Sequence, residues 1–129
     1  MTAWSFGNDP DKLANYAIYN ETETIIVSGG SKQATGLGFY DIYGNLYEYV
    51  SDWYHQDYGL ATDELAGTTV NPKGPNSGTQ RIVRGGTYYQ TKNGWGDIRS
   101  ASRASKSNYD TGNIYIGFRL LLEIPNEAR

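Results

Sequence analysis

A small domain of short strands and long irregular loops, with little helix, is the fold class this sequence predicts. Three observations predict it. Glycine occurs 16 times in 129 residues and is spread along the chain, so turns are frequent. Apolar residues nowhere hold the 3.6-residue period of a packed helix face. Short β-branched or aromatic runs are each closed by a glycine or proline cluster, the pattern of strands and turns. A chain of 129 residues supports one core and not two independent ones, so residues 1–129 are read as a single domain.

The elements follow in order. The first stretch, through Asn8-Asp9-Pro10-Asp11, reads as loop, because proline and Asx residues favour turns. The stretch from Leu13 to Tyr19 fits a short strand or a helical turn, and both remain open. Thr24-Ile25-Ile26-Val27, closed by Ser28-Gly29-Gly30, is a strand followed by a turn. Aromatic residues at Tyr43, Tyr47, Tyr49 and Trp53 alternate, which predicts a partly buried strand within residues 43–54. Residues 55–79 hold Gly59, Gly67, Pro72, Gly74, Pro75 and Gly78 and form a long loop. Arg81-Ile82-Val83-Arg84 is a strand ended by Gly85-Gly86, and residues 117–123 form a closing strand before Pro125.

Composition excludes several function classes. The net charge is -3, which provides no broad positive field for a phosphate backbone, so nucleic acid is not an expected partner. No run approaches the roughly 18 to 20 apolar residues of a membrane span, and the first residues show no secretory-signal pattern. Without cysteine there is no disulfide, thiolate metal site or cysteine nucleophile. Tyrosine dominates the rings, at 12 against 3 Trp and 3 Phe. Tyrosine suits a binding surface, by rigid contact area with a hydroxyl handle, and equally suits stacking within a β-rich core.

Three segments occur in order: Gly44-Asn45-Leu46-Tyr47-Glu48-Tyr49-Val50-Ser51-Asp52-Trp53-Tyr54, then Arg81-Ile82-Val83-Arg84-Gly85-Gly86-Thr87, then Arg99-Ser100-Ala101-Ser102-Arg103 running to Ile116-Gly117-Phe118-Arg119-Leu120. Together they resemble the formylglycine-generating-enzyme-like (sulfatase-modifying-factor) domain, over residues 36–122. The resemblance implies an α+β chain with the C-type lectin fold: a small twisted antiparallel sheet, long irregular loops and one or two short helices. Independently of it, Arg84 before two glycines suits a sharp turn with its guanidinium forked onto Glu48 or Asp52. Arg99, Arg103 and Arg119 are expected to brace loops by pairing with Asp41, Glu48 or Asp52.

Catalytic members of that family are similar in carrying two copper-binding cysteines shortly after the Arg-Gly-Gly motif. By spacing, Gln90 and Trp95 stand at those positions here, and neither supplies a soft thiolate. The resemblance thus carries the fold and not the activity, and the chain is expected not to be an enzyme. The lone histidine, His55, cannot build a metal triad, and no Gly-x-Ser-x-Gly, phosphate-loop or His-Glu-x-x-His pattern occurs. Asp41, Asn45, Glu48 and Asp52 supply the oxygen ligands calcium prefers, which makes calcium the one cofactor left open. Trp95-Gly96-Asp97 only approximates a lectin sugar-binding triplet.

The segment from Thr87 to Ile116 mixes rigid aromatic anchors with small hydrogen-bonding residues, the chemistry of a paratope. The expected binding residues are Tyr88, Tyr89, Thr91, Asn93, Trp95, Asp97, Ser102, Ser105, Tyr109, Asp110 and Tyr115. In this respect the chain resembles the variable proteins of diversity-generating retroelements, whose C-terminal segment is rewritten through adenine-rich template codons. That resemblance implies a non-enzymatic domain of phage or microbial origin, on a virion or cell surface, binding a protein or cell-surface ligand and joined to a larger assembly or to further copies. Replacing Tyr88, Tyr89 or Trp95 by alanine is accordingly expected to weaken binding and leave stability intact. Two alternatives stay open: a degenerate or accessory formylglycine-generating-enzyme-like domain of a sulfatase-maturation or related pathway, and a calcium-dependent carbohydrate-binding module.

Overall fold

The structure, a computed structural model, describes residues 2–23, 27–56, 74–91, 98–107 and 112–121. Asp9 caps the first turn, its Oδ1 accepting from the Asp11 amide at 3.0 Å, and Pro10 fits the position that needs no amide hydrogen. A 3₁₀ turn (Pro10–Lys12) leads into a single turn of helix, α1 (Leu13–Tyr16), and then β1 (Ala17–Ile18). Both readings of this stretch are therefore realised in succession. β1 pairs in parallel with β2 (Tyr43–Gly44).

The main sheet has the order β5-β4-β3-β6, from β3 (Tyr47–Trp53), β4 (Gln80–Arg84), β5 (Ala104–Ser107) and β6 (Ile116–Phe118). The β5-β4-β3 part is antiparallel, with an irregularity in β3 between Tyr49 and Trp53. β6 joins the edge parallel to β3, after a connection that runs through β4 and β5. Ile82 and Val83 are both buried although successive strand residues face opposite ways, so β4 is covered on both faces.

Three expectations are revised here. The alternating stretch from residue 43 is broken into two strands, because Gly44 and Asn45 turn through positive φ (71° and 59°). A Cβ on Gly44 would run into the Ile18 carbonyl, so glycine is required where β1 and β2 touch. The closing strand ends at Phe118 and does not run on through Leu121: the ladder ends at Tyr49↔Phe118, and Leu120 and Leu121 are exposed, while residues 122 and 123 lie outside the described residues. β5 arises where no strand was expected. Of the Thr24–Val27 run, residues 24–26 lie outside the described residues, as do residues 57–73 of the long loop.

The first residues, read as loop, supply core. Trp4, Leu13, Ala17, Tyr43 and Ile98 form a buried cluster. Phe6 stacks on Tyr16 at 4.3 Å and on Trp4 at 5.5 Å, and meets Tyr43 edge-on at 6.0 Å. The Trp4 indole N–H donates to the Ile98 carbonyl at 3.0 Å, and the Tyr43 hydroxyl accepts from the Ser5 amide at 2.8 Å. These bonds tie the start of the chain to the segment preceding β5 and to β2 without a disulfide.

The arginine braces differ in part from expectation. Arg84 Nη1 donates to the carbonyls of Ser100 and Ser102, at 3.1 and 3.0 Å, while Glu48 is held by Arg119 through two bonds of 2.8 and 2.5 Å. Arg119 also donates to the Tyr40 carbonyl at 3.1 Å. Arg103 reaches the carbonyls of His55 and Gln56, at 3.3 and 3.0 Å. Carbonyl acceptors suit this role because they hold loop backbone directly, whereas a carboxylate would have to be held in turn.

Candidate ligand-binding face

The face is built by the turn that follows β4. Gly86 has φ 80°, and a Cβ there would lie 2.7 Å from both Gln90 Oε1 and Ile98 Cγ2. The turn therefore closes only around glycine. It delivers Thr87 and Tyr88 inward, where the Tyr88 amide donates to the Asn45 carbonyl at 2.8 Å and its carbonyl accepts from the Glu21 amide at 2.9 Å. The Gln90 carbonyl accepts from the Asn20 amide at 2.8 Å, so backbone bonds clamp the segment on both sides of Tyr89.

Gln90 then closes the turn with its side chain. Its Oε1 accepts from the Thr87 amide at 2.8 Å and its Nε2 donates to the Tyr47 hydroxyl at 2.7 Å. Burial raises the Tyr47 pKa above its ordinary value, and the Gln90 bond offsets part of that rise. A cavity of about 150 Å³ opens beside this pair, lined by Tyr47, Thr87, Tyr89, Gln90, Lys106 and Tyr115. Tyr89 is 63% exposed and Tyr115 39%. The sheet register accounts for Lys106: Val83 pairs with Tyr49 and with Ala104, so Tyr47, Tyr49, Ala104 and Lys106 share one face.

The expected binding residues divide. Tyr89 and Thr91 are exposed and Tyr115 stands at the cavity rim. Tyr88 is only 3% exposed and packs against the Tyr115 ring at 5.7 Å, so its place is beneath the face. The expectation that its removal leaves stability intact is corrected accordingly. Ser102 is used through its backbone, as an acceptor for Arg84. Ser105 pairs with Ile82 and turns to the face opposite Lys106. Asn93, Trp95, Asp97, Tyr109 and Asp110 lie outside the described residues. Sequence reasoning missed Tyr47 and Lys106 as lining residues. For Tyr47 the aromatic alternation carried a signal; Lys106 carried none, since β5 itself was unforeseen.

The four candidate calcium ligands do not form one oxygen cage. Asp41 Oδ2 accepts from the Gly30 amide at 2.6 Å, Asp52 Oδ1 accepts from Ser51 Oγ at 3.3 Å, and both Glu48 oxygens bond Arg119. Asp41, Asn45 and Glu48 border a cavity of about 210 Å³ together with Arg119. Among the described residues Asp41 Oδ1 is buried with no hydrogen-bond partner. Among the described residues no group of three His, Cys, Asp or Glu side chains is placed to hold a metal ion, and no helix is long and apolar enough to cross a membrane.

Comparison with known proteins gives a consistent result. Residues 3–124 match the model of the sulfatase-modifying factor enzyme 1-like domain. Formylglycine-generating enzyme of Bos taurus is 38% identical over 84 residues, which cover 65% of this chain and 21% of that protein. Serine/threonine-protein kinase pkn1 of Chlamydia caviae is 37% identical over 114 residues, covering 88% of this chain and 16% of that one. Among solved structures, Treponema denticola variable protein 1 superposes with a TM-score of 0.73 at 26% identity, over 92% of this chain and 40% of the other. The chain therefore spans less than a quarter of each of these two curated relatives. The match reaches residue 3, well upstream of residue 36, where the resemblance read from the motifs begins, in keeping with the place of Trp4 and Leu13 in the core.

Proposed function

This chain belongs to the sulfatase-modifying factor enzyme 1-like family and has its C-type lectin fold, and from that premise we propose that it is a non-enzymatic ligand-binding domain. Its face, from Tyr89 through Thr91 to Tyr115, is a diversified surface on a fixed scaffold, as in the variable proteins of diversity-generating retroelements. The ligand is a protein or a cell-surface group. The observation that carries the reading is Gln90: the residue at the first copper-cysteine position is an amide whose oxygen and nitrogen are committed to Thr87 and Tyr47, at a cavity that two exposed tyrosines also line. An amide locked in this way does not fit copper(I), which wants thiolate, and no step through copper is derived. The likeness to Treponema denticola variable protein 1 supports the same reading.

Tyr89 and Tyr115 supply rigid amphipathic area at low entropic cost, and Thr91 supplies an adaptable hydroxyl. Selection of a displayed peptide library on the immobilised chain tests this. Binders are expected whose affinity falls about tenfold or more in Tyr89→Ala or Tyr115→Ala, with the melting temperature unchanged. Binders indifferent to both substitutions would contradict it. A second reading, an accessory formylglycine-generating-enzyme-like domain within a longer enzyme, is favoured by the 38% identity to the Bos taurus enzyme. Copper-dependent oxygen uptake on a cysteine peptide would establish chemistry and overturn the first reading.

A further inference from the structure

We propose that the cavity beside Gln90 is a carboxylate-recognition subsite that receives an acidic side chain or a chain-terminal carboxylate of a protein ligand, countered by the Lys106 ammonium and the Tyr47 hydroxyl. The proposal deepens the ligand-binding reading and rests on it. Its first support is donor and acceptor bookkeeping. The Thr87 amide is a donor, so it must face Gln90 Oε1, at 2.8 Å. That fixes the amide orientation and forces Nε2 to donate to the Tyr47 hydroxyl oxygen, at 2.7 Å. The phenolic hydrogen of Tyr47 is thereby turned away from Gln90 and remains to be donated to something else. The hydroxyl is thus a directional donor at the cavity wall, with no acceptor for it among the described residues.

The second support is charge. Lys106 lines the same cavity, and among the described residues no hydrogen bond or ion pair engages its ammonium. Arg81 stands opposite Lys106 in the ladder, on the same face, with its guanidinium 3.6 Å from the centre of the Trp53 ring. Two cations on one face of a chain whose net charge is -3 give a local field that favours an anion. The third support is shape. Tyr89 and Tyr115 wall the cavity with ring surface, which packs a methylene stem and lowers the local dielectric around the charge. At about 150 Å³ the cavity is below the range of roughly 300 to 1,000 Å³ typical of whole small-molecule sites. It has room for one group that protrudes from a larger ligand.

The test is a titration of the ¹⁵N-labelled full chain with three short peptides, followed by amide chemical shifts. One is capped at both ends and carries a central glutamate, the second is its glutamine counterpart, and the third has an uncharged sequence with a free C-terminal carboxylate. The glutamate peptide, the free-terminus peptide or both are expected to shift the amides of Tyr89, Gln90, Lys106 and Tyr115. The glutamine peptide is expected to bind about tenfold more weakly. Lys106→Gln removes the difference, and Tyr47→Phe reduces it, in variants whose spectra retain native dispersion. The stronger of the two acidic peptides identifies the source of the carboxylate. Equal binding of the glutamate and glutamine peptides, a preference that survives Lys106→Gln, or shifts that map elsewhere would overturn the proposal. Library-selected peptides that need Tyr89 and Tyr115 but ignore Lys106→Gln would sink the subsite alone, whereas a library without face-dependent binders sinks the underlying reading.

Discussion

Tyr88 and Tyr89 are adjacent, identical and opposite in role, and what separates them is backbone. The bonds from Tyr88 to Asn45 and Glu21 turn its ring inward, and Tyr89, carried past the clamp, is left 63% exposed. Composition marked both as binding residues; only long-range hydrogen bonds distinguish them, and those are invisible in a single sequence. Tyr88→Ala is expected to cost about 3 to 4 kcal/mol by leaving a cavity beneath the face, and Tyr89→Ala less than about 0.5, as read by urea denaturation. Gln90→Ala removes the partner of the Thr87 amide and should cost about 1 to 3 kcal/mol. Tyr47 adds a pH dependence. Its folded pKa lies above the unfolded one because burial disfavours the phenolate, so its contribution is fully present below about pH 10 and is lost as pH rises through the folded value. Tyr47→Phe is expected to flatten the fall of the denaturation midpoint between pH 9 and pH 11, relative to the parent chain.

At the level of elements, β3 and β4 were legible because aromatic alternation and a β-branched pair mark them, and the Gly85-Gly86 turn because only glycine suits such a bend. β5 was not. Ala104-Ser105-Lys106-Ser107 has no strand signal of its own and becomes a strand because β4 offers an open edge. β6 shows the complementary case: the leucine run after Phe118 satisfies the strand pattern, but the ladder with β3 ends at Phe118. Gly86→Ala is expected to destabilise by about 2 kcal/mol or more, since it adds both a positive-φ penalty and a collision with Gln90 and Ile98. Arg84→Ala should cost about 1 to 3 kcal/mol through the Ser100 and Ser102 carbonyls it leaves behind. The Arg119–Glu48 pair is more exposed, at 39% and 26%, and its removal should cost no more than about 1 kcal/mol despite its geometry.

Across the molecule, the division of labour is between a scaffold that closes on itself and a face that does not. The scaffold is braced from its first residues, by Trp4 and the Phe6 stack, and by arginines on loop carbonyls, in a chain without cysteine. The family resemblance was legible from three motifs, yet the core role of the first residues was not, because an isolated Trp-Ser-Phe-Gly has no periodicity to read. Stretches similar to this chain recur within much longer relatives. The central claim, that the face is diversified and the scaffold fixed, is tested most directly by sequencing this gene across its source population. Substitutions are expected to concentrate at exposed positions between Thr87 and Ile116, Tyr89, Thr91 and Tyr115 among them, with Trp4, Arg84, Gly85, Gly86, Tyr88 and Phe118 unchanged. Sparse variation spread evenly over core and face would contradict it and turn the assignment toward an accessory enzyme domain.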